Sequence, residues 1–191
     1  MRKTNWTVIG ALVVAAVIAN ADASQEASDS AVELKIRRSL AEKGWEYEQF
    51  QLGVTYYYGD GVNQDYAEAG RWFRLAADNG VAAAQFSLGL LYDKGQGVVQ
   101  DYAEAVKWYR LAAAQGHAAA QSNLGTMYVN GQGVVQDYVR AHMWFNLGAV
   151  SGKAEKATSN RDSLAAKMTP AQIAEAQKIA RECQARSFKD C

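Results

Sequence analysis

The chain matches itself when slid by 36 residues. Residues 45–80 read WEYEQFQLGVTYYYGDGVNQDYAEAGRWFRLAADNG, residues 81–116 read VAAAQFSLGLLYDKGQGVVQDYAEAVKWYRLAAAQG, and residues 117–152 read HAAAQSNLGTMYVNGQGVVQDYVRAHMWFNLGAVSG. The first and second copies share 20 of 36 positions, as do the second and third. A fixed period of this size requires each unit to bury its apolar face against its neighbours, which is the logic of a solenoid. A single proline against 16 glycines favours helix as the repeating element, with glycine marking the joints.

Spacing predicts two helices per unit. In the second copy Ala84, Leu88, Leu91 and Tyr92 fall at i, i+4, i+7 and i+8, one face of a first helix. Ala105, Trp108, Tyr109, Ala112 and Ala113 make the corresponding face of a second helix. The same columns recur as Leu52, Tyr56, Ala69, Trp72 and Ala77, then as Leu124, Tyr128, Ala141, Trp144 and Ala149. Gly80, Gly116 and Gly152 follow the second helices. The ends depart from the pattern. Residues 31–44, AVELKIRRSLAEKG, align with 103–116 as a lone second helix at the N-terminal end. Residues 154–168 read as a more polar first-type helix. Thr169, Pro170 and Gln172 open a final helix through a capping box. Its inner side carries Ile173, Ala176, Ile179, Ala180 and Cys183.

The recurring pattern A-x-x-x-L-G-x-x-Y-x-x-G-x-G-V-x-x-D-x-x-x-A-x-x-W-[YF]-x-x-x-A-x-x-G resembles the Sel-one-like repeat, a relative of the tetratricopeptide repeat. It is met by Ala84, Leu88, Gly89, Tyr92, Gly95, Gly97, Val98, Asp101, Ala105, Trp108, Tyr109, Ala113 and Gly116. The first copy departs with Glu48 in the first alanine column. The resemblance implies an all-α fold, a right-handed α-α superhelix of antiparallel helix pairs with 36-residue repeats. It also implies protein–protein interaction, often in bacterial envelope signalling or as a secreted adaptor.

The N-terminus is a separate object. Arg2 and Lys3 precede the apolar run Val8 to Ala19, and two A-x-A sites end at Ala21 and Ala23. This is the layout of a cleaved secretory signal peptide. The run is too short for a spanning helix, which needs about 20 apolar residues. The expected organisation is therefore a signal peptide at 1–23, a capping helix at 24–44, repeats at 45–80, 81–116 and 117–152, and C-terminal capping helices and tail at 153–191. Export to the periplasm or beyond follows, with no stable membrane insertion after cleavage. In that setting Cys183 and Cys191 are expected to pair, free thiols being the alternative.

Charge excludes one class of partner. The 20 basic and 20 acidic residues balance, and no basic stripe marks a nucleic-acid surface. The loop KGQGVVQDYAEA, Lys94 to Ala105, has glycine spacing and acidic residues that invite a phosphate or calcium site. Neither the P-loop nor the EF-hand pattern is complete. Gly95 and Gly97 supply turn geometry, Val98 plugs the loop into the core, and Asp101 caps the second helix with Glu104 at the capping-box position. Asp65 and Glu68 repeat the arrangement, whereas Arg140 replaces the acid after Asp137. His117 and His142 read as solvent-facing, with no recurring Asp, Ser or Cys to orient them.

No catalytic residue, cofactor or metal is therefore expected. Some cysteine-rich secreted relatives are associated with penicillin binding or β-lactam hydrolysis. That makes an enzyme acting on cell-wall material or β-lactams the alternative, although these repeats contain no cysteine. The expected function is capture of a protein or peptide. The first helices carry Phe50, Val54 and Tyr57, then Phe86, Leu90 and Asp93, opposite the core leucines. Ser122, Thr126 and Val129 continue the series. These residues form either a concave binding wall or contacts buried between neighbouring repeats.

Overall fold

A computed structural model describes residues 31–150, 155–188 and 191. The signal segment 1–23 and Gly152 lie outside the described residues. Helix α1 covers residues 31–42. It is followed by α2 (Glu46–Tyr58), α3 (Tyr66–Asp78), α4 (Ala82–Lys94), α5 (Tyr102–Ala113), α6 (Ala118–Asn130), α7 (Tyr138–Val150), α8 (Glu155–Ala165) and α9 (Pro170–Ala185). Each helix from α2 to α7 packs on its neighbour in sequence, and both α8 and α9 rest on α7. The result is a helical solenoid, its core made of the repeated columns. Leu52, Leu88 and Leu124 are fully buried, as are Ala69, Ala105 and Ala141.

Close approach within each pair depends on a glycine facing a ring. A Cβ at Gly53 would sit 2.5 Å from Phe73, at Gly89 2.7 Å from Tyr109, and at Gly125 2.6 Å from Phe145. The loops interlock successive repeats in a related way. Gly97 has φ +68°, and a Cβ there would lie 2.3 Å from the backbone carbon of Tyr66 at the start of α3. Gly133 meets Tyr102 at the same 2.3 Å. Val98 and Val134, half-buried, pack against the core.

The aspartate caps form, but their partners differ from the expected boxes. Asp101 Oδ1 accepts from the N–H groups of Ala103 and Glu104 at 2.9 and 3.0 Å. Glu104 does not reach back to the cap, because the Asp101 N–H is already donated to the Tyr92 carbonyl at 3.0 Å. The Glu104 carboxylate instead accepts from the Trp108 indole N–H at 2.9 Å. Glu68 and Trp72 repeat this contact at 3.0 Å. The reciprocal box is complete only at Thr169 and Gln172 among the described helices.

Buried glutamines stitch the repeats together. Gln49, Gln85 and Gln121 donate to the carbonyls of Ala41, Ala77 and Ala113, each eight residues back, at 3.2, 3.1 and 3.2 Å. Gln115 then donates to Gln85 Oε1 and to the Gly80 carbonyl, both at 2.9 Å. A second set of rungs joins Arg38 to Tyr56 and Arg74 to Tyr92, and Arg110 to Tyr128 at 2.7 Å. At the C-terminal end Cys183, buried in α9, is disulfide-bonded to Cys191. The Phe188 N–H donates to the Cys183 carbonyl at 2.9 Å, and the Phe188 ring lies over Gly116.

Candidate functional site

All six residues proposed for partner capture are half-buried. The structure brings them together along α2 and α4, against rings from the second helices. Phe50 lies 5.8 Å from Phe73 between ring centroids. Tyr57 meets Tyr66 edge-on at 5.2 Å and Phe73 at 6.3 Å. Phe86 lies 5.9 Å from Tyr109 and stacks on His117 at 4.8 Å. Phe50, Val54, Tyr57 and Phe86 thus rest on the core from one side. Leu90 is half-buried but belongs to neither of the core clusters beneath it.

Asp93 supplies the polar end of this face. Its carboxylate accepts from the Tyr109 hydroxyl at 3.2 Å, and that hydroxyl accepts from Asn123 Nδ2 at 3.1 Å. Burial raises the Asp93 carboxyl above the usual aspartate range, partly opposed by the Tyr109 hydrogen bond. Burial, then the neighbouring Asp93 charge, raises the Tyr109 phenol. The chain Asp93–Tyr109–Asn123 therefore fixes an acidic group at the boundary between the second and third repeats.

The face does not continue through the third repeat. Ser122 is buried, and Thr126 donates its hydroxyl to the Ser122 carbonyl at 3.2 Å. Helix α8 lies across this stretch, with Asn160, Ser163, Leu164 and Lys167 enclosing a small cavity together with Thr126 and Val129. The first-helix face ends where α8 takes over as the covering element.

The histidines depart from the solvent-facing expectation. His142 is only 2% exposed, and its ring nitrogen Nδ1 lies 3.1 Å from Asn146 Nδ2. It stands in the column of Gly70 and Val106, on a helix that α8 and α9 cover. Gly70 and Val106 are buried too, so this column faces inward in every repeat. Burial lowers its pKa, Arg161 lowers it further, and Asp162 opposes both. His117 is half-buried against Phe86, and burial lowers its pKa too. Among the described residues no three His, Cys, Asp or Glu side chains converge on a metal-sized site. Among them, too, no helix is long and apolar enough to cross a membrane.

A model of the Sel1 repeat matches residues 49–81, 82–117 and 118–152. Among solved structures, a Sel1 repeat protein from Oxalobacter formigenes is 39% identical, over 69% of this chain and 98% of that one, with a TM-score of 0.62. A protective antigen present in uropathogenic Escherichia coli strains, displaying an SLR fold, is 29% identical over 81% of this chain, with a TM-score of 0.62. The match spans 42% of that antigen. No curated protein matches the sequence.

Proposed function

The chain belongs to the Sel1 repeat family, whose members are generally protein-interaction scaffolds, and from that premise we propose that it is an exported adaptor capturing a protein or peptide on its first-helix face. The observation that carries this reading is the half-burial of Phe50, Val54, Tyr57, Phe86, Leu90 and Asp93 after the chain's own packing is complete. Apolar surface left open beside a fixed carboxylate is what a peptide with apolar and basic side chains requires. Leu90 is the strongest of the set, since neither core cluster beneath it claims its side chain. Export is supported by the signal-like N-terminus and by a disulfide, a bond kept in oxidising compartments.

The test is partner capture in the native envelope by crosslinking and mass spectrometry. Leu90→Ala combined with Asp93→Lys is expected to abolish the captured band while circular dichroism stays unchanged. Collapse of helical content in that variant, or capture that survives it, refutes the assignment of this face. A nitrocefin or muropeptide turnover assay separates the enzyme alternative. Turnover that disappears on changing His117 or His142 would replace the scaffold reading.

A further inference from the structure

A cavity of about 440 Å³ between α1 and α2 is lined by mixed charge. A larger one, about 610 Å³, lies among α5, α6, α7 and the tail. Its volume falls within the range of small-ligand pockets, about 300–1,000 Å³. Leu111, Ala114, Trp144 and Phe188 give it apolar walls. Lys107, Arg110 and Arg140 are exposed at its rim, and among the described residues no acidic side chain lines it.

The repeats themselves provide the control. One unit earlier, the equivalent positions are Arg71, Arg74, Asp78 and Glu104, two cations against two anions. One unit before that they are Lys35, Arg38, Glu42 and Glu68, again balanced. Only the last interface exchanges both acids, for Ala114 and Arg140. The exchange has a structural consequence. Trp72 and Trp108 donate their indole N–H to Glu68 and Glu104. Trp144 has no acid at position 140 to accept its indole N–H, because that position now carries a cation. Trp144 is also a residue that lines the cavity.

We propose that this cavity is a second binding site, for a short acidic peptide segment that carries an apolar side chain. The apolar side chain lies against Leu111, Trp144 and Phe188. The carboxylates pair with the rim cations, and one peptide or carboxylate oxygen accepts from the Trp144 indole. The cations are already oriented. Arg110 donates to the Tyr128 hydroxyl and keeps further N–H donors in hand. Arg140 lies over the Tyr128 ring, 5.8 Å from its centroid, with Asp137 at 3.5 Å. Lys107 pairs with Glu104 at 3.2 Å. The Lys107–Glu104 pairing recurs one unit earlier as Arg71–Glu68, whereas the Arg140–Asp137 pair has no counterpart there, position 104 being acidic. A concave pocket whose Trp144 and Tyr128 are buried suits a side chain better than stacked bases, which need open ring faces. This site does not depend on the first-helix face.

The experiment uses the full purified chain with its disulfide intact and a fluorescent, acetylated acidic hexapeptide with a central phenylalanine. Polarisation is expected to show binding that weakens with salt, and peptide addition to shift the Trp144 indole N–H resonance. Arg140→Glu restores the residue type of the other repeats, so the fold is expected to hold while affinity falls at least about tenfold. Ala114→Asp is the second variant, reaching the same end from the other wall. Equal binding by wild type and both variants overturns the proposal. So does undiminished binding of a peptide with serine for the phenylalanine, or competition by inorganic phosphate as strong as by the peptide. A single-stranded oligonucleotide that binds where the peptide does not overturns it as well. Leu90→Ala is expected to leave this binding unchanged, which separates failure here from failure of the first-helix assignment.

Discussion

Gly89→Ala isolates the contact that sets the spacing within a helix pair. Gly89 is an interior residue of α4 with helical backbone, so alanine there gains about 1 kcal/mol of helix propensity. Against that gain, the new methyl would stand 2.7 Å from Cδ1 and 2.8 Å from Cε1 of Tyr109, with the Ala105 carbonyl at 3.3 Å. The ring has little room to yield. Tyr109 is fully buried, and its hydroxyl is held between Asp93 and Asn123. Overpacking of this kind costs about 1–3 kcal/mol. The expected net effect is a loss of about 1 kcal/mol, or about 2–4 °C in Tm for a chain of this size. Removing the ring should reverse the sign: in a Tyr109→Leu background, Gly89→Ala stabilises by about 0.5–1 kcal/mol. Urea denaturation followed by circular dichroism on the four members of the cycle measures both. A wild-type chain made more stable by Gly89→Ala, or an identical effect in the two backgrounds, refutes the argument that the ring enforces glycine.

Three further outcomes follow from the geometry. Gly97→Ala places a side chain at φ +68° and against the backbone of Tyr66, and is expected to destabilise by about 2 kcal/mol or more in the same assay. Asp101→Ala removes two accepted N–H bonds and should cost about 1 kcal/mol while leaving capture at either face unchanged. His142, whose pKa burial lowers, binds fewer protons folded than unfolded. Its stabilising effect is therefore complete above the ordinary value of about 6.5 and fades as pH falls through that value toward the folded pKa. Between about pH 7.5 and about pH 5 the wild type should lose more Tm than His142→Val, which carries the residue type of Val106; equal losses would remove His142 from the account.

The periodic features were legible without coordinates because each was written three times. The leucine and alanine columns, the aspartate caps and the positions of the loops all follow from spacing. What the spacing left out are contacts between columns. Glu104 reads as half of a capping box from its distance to Asp101, yet the indole of Trp108, four residues on, is its partner. Nothing in the spacing marks the bond from Gln85 to the Ala77 carbonyl, eight residues back. His142 reads as outward-facing. Yet Val106 and Gly70, in the same column, are buried in the earlier repeats, so the column faces inward throughout. The first-helix candidates were legible as a face, but not where that face stops, since α8 departs from the repeat and lies across Thr126 and Val129. The basic cavity was visible only as one missing acid at Arg140. Its meaning needed three helices and the tail in one place.

The stitching between units also bears on how the molecule answers a pull. Every joint from α2 to α7 is made between neighbours in sequence, so tension applied at the two ends is carried in series, and the weakest joint yields first. At the N-terminal end the last joint is the small cluster of Ala41, Leu52 and Trp72. At the other end Phe188 is folded back over Gly116 and tied by Cys183–Cys191, a clasp that bridges non-adjacent parts of the array. Under load the solenoid should therefore open directionally, shedding α1 and then α2 while the basic cavity near the tail keeps its shape.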